Sequence, residues 1–432
     1  MNSSKFQLIF TGVFAAFILI GVGFFAFGGS GNSAGISHIV IWGTYPEQKF
    51  TDIYGKSAFS KSKTIAVQYK EKSEANFDSE FVNALAEGTG PDAIFIDSDD
   101  LLKYKSKLLV IPYKSYPERT YKDTFVEGSE LFLFPEGVYA LPLAVDPIVM
   151  YWNRDIFTNA SLSRPPEYWD EFYNLSQSLS TKDGAFNVTR STVALGEYQN
   201  ITNAGAILSA LILQAGNPIV NLVNGFPTSV LNDKMDLAIP PAQAALTFYT
   251  EFSNPAKSYY SWNRSLPQSQ TAFLAGDLAI YFGFASEYPL LRIKNPNLNF
   301  DMSVLPQSSN VKNGARKVTF AKIKGLAIVK NSKNIGAAFS ALQEFTNQDM
   351  AKSLSESINM APARKDLLAV KQTDSVKPVL YDSTLWSKGW LDPDKSGTNA
   401  AFREMVESVT GGRTRIEGAI NQASLQIGNL IK

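Results

Sequence analysis

The sequence predicts an α/β protein of two lobes, preceded by one N-terminal transmembrane helix. Three observations predict it. Strand-like and helix-like runs alternate from about residue 36 to the end. The chain has 432 residues, too many for one compact core. Its first residues contain an uncharged apolar run as long as a bilayer is thick.

The apolar run comes first. Lys5 is followed by Phe6–Phe27 without a charge. At about 1.5 Å per residue a helix here is roughly 33 Å long, enough to cross a membrane. Lys5 on the short side, with no basic residue closely following the run, puts the N-terminus inside and the large domain outside. An uncleaved anchor is the favoured reading, because secretory apolar regions are usually shorter. A long signal peptide cut after Gly28 or Ala34 is the other. Gly28–Gly35 reads as a flexible tether, so residues 1–35 stand apart from the fold.

His38–Trp42 (HIVIW) reads as a buried strand, and Phe50, Ile53 and Tyr54 follow at helical spacing. Thr64–Tyr69 is a second strand. Phe77, Phe81 and Leu85 form one helical stripe, with Gly88 placed to stop it. Ala93–Ile96 is a third strand, Leu101–Lys107 a short helix and Leu108–Pro112 extended. This β-α-β-α-β-α order implies a parallel sheet with right-handed crossovers. Val138–Trp152 is extended, apolar and interrupted by Pro142 and Pro147. A helix is expected from Pro165-Pro166 through Leu179, with proline in its permitted first turn. Helices are then expected at Ile201–Gln214, Pro241–Phe252 and Gln268–Leu274, and a strand at Leu278–Phe282. Strand Lys324–Val329 and helices Ile335–Thr346 and Met350–Ser357 follow. The tail, Thr398–Leu430, is helical with a break at Gly411-Gly412.

Composition narrows the function. Lys plus Arg equals Asp plus Glu at 40 each, so no global field draws nucleic acid or acidic lipid. There is no cysteine, which excludes disulfides, thiolate nucleophiles, Cys-ligated zinc and acylated-cysteine anchors. His38 is the only histidine, which leaves little for a catalytic triad or a His-rich metal site. No cofactor is implied.

Five stretches, in order, resemble extracellular solute-binding protein family 1, the maltose-binding type. They are Phe81–Asp92 (FVNALAEGTGPD), Leu141–Phe157 (LPLAVDPIVMYWNRDIF), Pro165–Phe172 (PPEYWDEF), Phe273–Ile280 (FLAGDLAI) and Gly411–Ala419 (GGRTRIEGA). Trp152 and Arg154 stand where the family often has Tyr and Lys. The resemblance implies a type II periplasmic-binding-protein fold with a hinge. It places the crossings between lobes near Val145–Pro147, Val304–Gln307 and Asn359–Arg364. The first lobe then comprises residues 36–144 and 304–361, and the second 145–303 and 362–432. Ligand is expected between the lobes, at the carboxyl ends of the strands.

Within that frame, Trp42 ends the first strand and offers a flat face for a sugar ring, or packs at the cleft rim. Asp97, Asp99 and Asp100 follow the third strand. Asp99 matches a family position that contacts sugar, and Asp97 is a further candidate. Asp100 is expected to cap a helix. Asp146 lies in the first crossing, where some sugar binders carry Glu, and either binds ligand or braces the hinge. Gly283-Phe284-Ala285 replaces the Gly-Pro-Trp of the maltose-binding type, so the stacking tryptophan is missing and Phe284 or Tyr288 substitutes for it. Of Trp386 and Trp390, Trp386 is expected to face the ligand. Asp392-x-Asp394-x-Ser396-Gly397 copies the start of a calcium loop but has Arg403 where a Glu ligand belongs, and reads as a turn. Tyr259-Tyr260, which resembles the tyrosine pair of iron binders, reads as an exposed turn, and Gly55-Lys56-Ser57 is not a P-loop.

The resemblance implies a monomeric, extracytoplasmic binding subunit of an ABC importer, not an enzyme. Its partners are a small polar solute, a carbohydrate by preference, the permease, and the bilayer through residues 6–27. Two alternatives stay open. One is a membrane-anchored glycoside-acting enzyme using carboxylates such as Asp99 and Asp146. The other is a surface sensor that works without a transporter.

Overall fold

The computed structural model describes residues 36–185 and 187–431. The expected membrane span and tether lie outside these residues. Among the described residues, no helix is long and apolar enough to cross a membrane.

The main sheet contains β1 (Ser37–Gly43), β2 (Ile65–Glu71), β3 (Ala93–Asp97), β4 (Leu141–Asn153), β5 (Val188–Val193), β6 (Leu278–Phe284), β7 (Phe300–Ser303), β8 (Thr319–Ile328) and β9 (Ala361–Pro362). Between the first three strands run helices α1 (Glu47–Lys56) and α2 (Phe77–Glu87). As the alternation implies, β1 lies parallel to both β2 and β3. The apolar stripe of α2 buries Phe77 and Phe81, and Gly88 ends the helix at φ +71, where a side chain would be strained. Asp92, just before β3, accepts the N–H of Val40 at 2.9 Å and the hydroxyl of Ser332 at 2.6 Å.

The sheet runs β2-β1-β3-β8-β4-β6-β5 and ends on the short strand Thr181–Lys182. Its organising element is β4. Residues 141–147 pair with β8, and residues 148–152 pair with β6. One strand thus serves two lobes, and the change of partner falls at Pro147/Ile148. Proline cannot donate to a ladder and is unusual in a central strand. The register of β8 against β4 shifts at Lys324/Gly325, opposite Ala144 and Pro142, which absorbs one such break.

Helix α3 (Glu171–Leu179) starts later than its proline pair suggests. The Glu171 carboxylate accepts the N–H groups of Glu167 and Tyr168, each at 2.9 Å, and Tyr168 bridges to Gln307. Those contacts hold residues 167–168 out of the helix. The second lobe also holds α4 (Ala204–Gln214) and α5 (Pro241–Glu251). After β9 the chain stays on the first lobe, because α6 (Lys377–Leu385) packs on β8 and β9. It passes to the second lobe beyond Ser387–Lys388, which pairs with β8. Helices α7 (Lys395–Thr410) and α8 (Ile416–Leu430) then pack on each other and on α5, separated at the glycine pair.

Candidate functional site

A cavity of about 730 Å³ opens between the lobes. Its first-lobe wall is Ser98 and Asp99, at the carboxyl end of β3, with Phe320 and Lys322 from β8. Its second-lobe wall comes from residues 198–209, from Phe284 at the end of β6, and from Trp390 to Arg403. Strand ends are where a twisted sheet leaves room for a ligand.

The walls combine flat apolar faces with fixed polar groups. Phe284 and Phe320 face each other from opposite lobes with ring centroids 6.4 Å apart. Trp390 and Phe402 lie 6.1 Å apart, and the Trp390 indole N–H donates to Ser209 Oγ at 3.1 Å. The Tyr198 hydroxyl donates to Asn399 Oδ1 at 2.6 Å. Asn203 has φ +64 at the start of α4, and its side-chain amide donates to Glu287 Oε1 at 2.8 Å. Glu287 also accepts from the Phe284 N–H at 2.8 Å, the Tyr281 hydroxyl at 2.6 Å and the Gln270 amide at 2.9 Å. One carboxylate therefore ties the turn carrying Phe284 to the turn carrying Asn203.

Charges are concentrated where the first-lobe wall meets the start of α7. Lys324 reaches Asp97 at 2.6 Å, Lys395 reaches Asp100 at 2.6 Å and Asp99 at 3.2 Å, and Lys322 lies 3.9 Å from Asp99. Burial pushes the Asp97 carboxyl up, but Lys324, with Lys395 and Lys322, outweighs it and holds the group below the usual carboxylate range. At Asp100 burial prevails over Lys395 and raises the pKa. Burial disfavours the charged form of Lys395, yet Asp99, Asp100 and Asp97 together raise its pKa. Carboxylate oxygens of Asp97, Asp99 and Asp100 lie within 4.8 Å of one another, close enough for a cation. Lysine ammonium groups already occupy that role.

Of the residues expected from sequence, Asp99 and Phe284 line the cavity. Asp97 lies behind Asp99, bound to Lys324. Asp100 does not cap a helix with its side chain but pairs with Lys395, 295 residues away. Asp146 sits in β4, outside the lining, and accepts the Ser286 N–H at 3.0 Å and hydroxyl at 2.6 Å. Burial pushes its carboxyl up to about 6, against the lowering effect of those hydrogen bonds. Trp42 is 7% exposed, outside the lining, with the Lys72 ammonium 4.0 Å from its ring centroid. Tyr288 packs edge-on against Phe300 at 5.6 Å. Trp386, also outside the lining, ends α6 beneath Lys317, whereas Trp390 is in the wall.

The residues that sequence reasoning passed over come largely from α7. Lys395, Asn399 and Arg403 recur every four residues and make one polar stripe on the cavity, a periodicity visible in the sequence. The calcium-like segment sets this helix in place. Asp394 caps it by accepting the Gly397 N–H at 2.6 Å. Asp392 accepts the Asp394 N–H at 3.0 Å and the Thr398 hydroxyl at 2.7 Å. Burial, reinforced by Asp99, pushes the Asp392 carboxyl up to about 7.

The family model described as bacterial extracellular solute-binding protein matches residues 43–352. The chain belongs to that family. This solute-binding protein is 21% identical over 395 residues to the galactooligosaccharide-binding protein of Bacillus subtilis (strain 168), covering 90% of this chain and 88% of that one. The cyclic α-maltosyl-1,6-maltose binding protein of Arthrobacter globiformis is 14% identical, with a TM-score of 0.74 over 92% of this chain and all of that one (100%). A cyclo/maltodextrin-binding protein complexed with maltotetraose is 15% identical, with a TM-score of 0.72 over 93% of this chain and 99% of that one. These likenesses establish the two-lobed fold of the solute-binding protein. Its cavity offers aromatic faces for C–H surfaces and a fixed set of donors and acceptors for a polar rim.

Proposed function

We propose that the protein captures an oligosaccharide between its lobes and delivers it to an ABC permease, without chemistry of its own. One observation carries this reading. The interlobe cavity of about 730 Å³ has aromatic faces on both walls and charged or amide groups beside them. A sugar presents the matching surfaces, apolar on its ring faces and hydroxylated at its edges. The oligosaccharide ligands named for the related binding proteins support the same class. Closure is a hinge motion about the crossings, and Asp146–Ser286 braces the one in β4. The folded part works as a monomer on the extracytoplasmic side, held by the apolar segment at residues 6–27.

Asp99 is the proposed hydroxyl acceptor, with Phe284 and Trp390 as stacking faces. An enzyme using Asp99 and Asp146 is disfavoured, because Asp146 is committed to Ser286 and lies outside the lining. The test is thermal unfolding of the full-length protein in mild detergent against a panel of oligosaccharides, with recovery of the sugar afterwards. A cognate sugar at 100 times its Kd adds about 2.7 kcal/mol to stability and is recovered intact. Released product would favour the enzyme. Absence of any stabilisation across the panel would refute the carbohydrate reading.

A further inference from the structure

The fixed charges around the cavity do not all cancel. Asp97, Asp99 and Asp100 of the first lobe stand against Lys322 and Lys324 of the same lobe and Lys395 of the second, three of each sign. On the second-lobe side Asp392 is engaged by Thr398 and by the Asp394 N–H, and its burial favours the neutral form. That leaves Arg403. It lines the cavity from α7, about two turns beyond Lys395. Among the described residues its guanidinium has no ion pair and no hydrogen bond. Of the neighbouring acids, Glu404 is held by Arg413 at 3.1 Å and Glu197 by Arg264 at 3.0 Å, while Glu407, one turn further along α7, forms no ion pair with Arg403 and acts on Arg264 instead. On the opposite wall Lys322 is nearly half in solvent and only loosely associated with Asp99, at 3.9 Å.

We infer that the captured saccharide carries a carboxylate, which Arg403 receives on the second lobe with Lys322 as the facing cation on the first. This rests on the oligosaccharide reading of the same cavity and adds the charge of its ligand. The guanidinium fork matches the two oxygens of a carboxylate and, unlike an ammonium, fixes its orientation. A phosphate ester would fit the same fork. The sugar-phosphate arm of the experiment below separates the two. Cations on opposite walls also give an acidic ligand a reason to draw the lobes together, since each gains only when the cleft closes on it.

The experiment is calorimetry on the full-length protein in mild detergent. The probes are short galacturonate, glucuronate and mannuronate oligosaccharides, their methyl esters, the neutral parent sugars and the corresponding sugar phosphates. At least one uronate is expected to bind roughly tenfold or more tightly than its own ester. Arg403→Gln should weaken the uronate by at least about fivefold more than its ester and so remove that preference, and Arg403→Lys should keep part of it. Neutral sugars binding with no advantage for any acid, or a preference that survives Arg403→Gln, overturns the inference and leaves the saccharide reading intact. Tighter binding of a sugar phosphate than of any uronate also overturns it. If no saccharide of any kind binds, the oligosaccharide reading fails and this inference fails with it.

Discussion

Lys395 on α7 and Asp99 at the end of β3 stand 3.2 Å apart and join the two lobes across the cavity. The same ammonium reaches Asp100 at 2.6 Å. Because α7 belongs to the second lobe and β3 to the first, this contact exists only when the cleft is at least partly closed. Lys395→Met leaves Asp100 without its cation and Asp99 with only Lys322, at 3.9 Å. It should lower apo stability by about 1–3 kcal/mol, a range reduced because part of Lys395 remains in solvent. It should also shift the unliganded protein toward the open form. Small-angle scattering of the two proteins without ligand checks this. An equal radius of gyration for wild type and variant would mean that the pair contributes no closure.

Asp99 and Trp42 were candidates for the same role from sequence, and their placements separate them. Asp99→Ala should cost roughly 1–3 kcal/mol of ligand affinity, by leaving ligand hydroxyls unpaired. Trp42 is buried under Lys72 away from the cavity lining, so Trp42→Ala should act on the fold instead. A loss of roughly 3–5 kcal/mol in stability is expected, with ligand affinity nearly unchanged in the protein that remains folded. Calorimetry with a cognate sugar, alongside denaturant unfolding, reads both quantities. Loss of affinity in Trp42→Ala without loss of stability would return that residue to the site.

Trp390 is the aromatic most exposed to a decisive test. Its ring packs on Phe402 and its N–H is fixed by Ser209. Trp390→Phe keeps an apolar face and drops the hydrogen bond, so affinity should fall only a few-fold. Trp390→Ala should cost about 2 kcal/mol or more, as loss of a central aromatic anchor does. Equal affinities in the two variants would show that stacking on this ring is not used.

What the sequence made legible is local, and what it hid is long-range. The stripe of Phe77, Phe81 and Leu85 and the stop at Gly88 predict α2 because both act within a few residues. The parallel start of the sheet follows from element order. The late start of α3 does not, since it depends on a Tyr168–Gln307 bridge that no local propensity encodes. Nor does the neutralisation of Asp97 and Asp100, whose lysines lie 227 and 295 residues further on. Asp99 and Phe284 line the cavity, and both are expected from the resemblance, Asp99 at a sugar-contacting position and Phe284 in place of the missing tryptophan. Trp390 was passed over for Trp386 because four residues in an irregular segment carry no periodicity to say which one turns inward. Helix α7 did carry one, and its stripe of Lys395, Asn399 and Arg403 was readable as a polar face without any hint that a cavity lay against it.

Asp392 makes the protein's stability depend on pH. Its carboxyl, ordinarily near 3.8, is pushed up to about 7 by burial, with Asp99 adding to the effect and Thr398, the Asp394 N–H and Lys395 opposing it. The fold therefore prefers the protonated form. Its contribution to stability is complete below the ordinary pKa of an aspartate and is lost as pH rises through about 7. Asp146, pushed up to about 6, acts in the same direction, while Asp97, held low, contributes stability that is lost only at acid pH. Asp392→Asn keeps an oxygen for Thr398 and the Asp394 N–H but has no charge to bury. The variant should match wild type below about pH 4 and exceed it at pH 8 by roughly 1–4 kcal/mol. Denaturant unfolding followed by tryptophan fluorescence at both pH values measures the difference. A gap of the same size at each pH would mean that Asp392 does not titrate in this window. A variant less stable than wild type at pH 8 would reverse the sign and show that the ionised carboxylate is held by a partner.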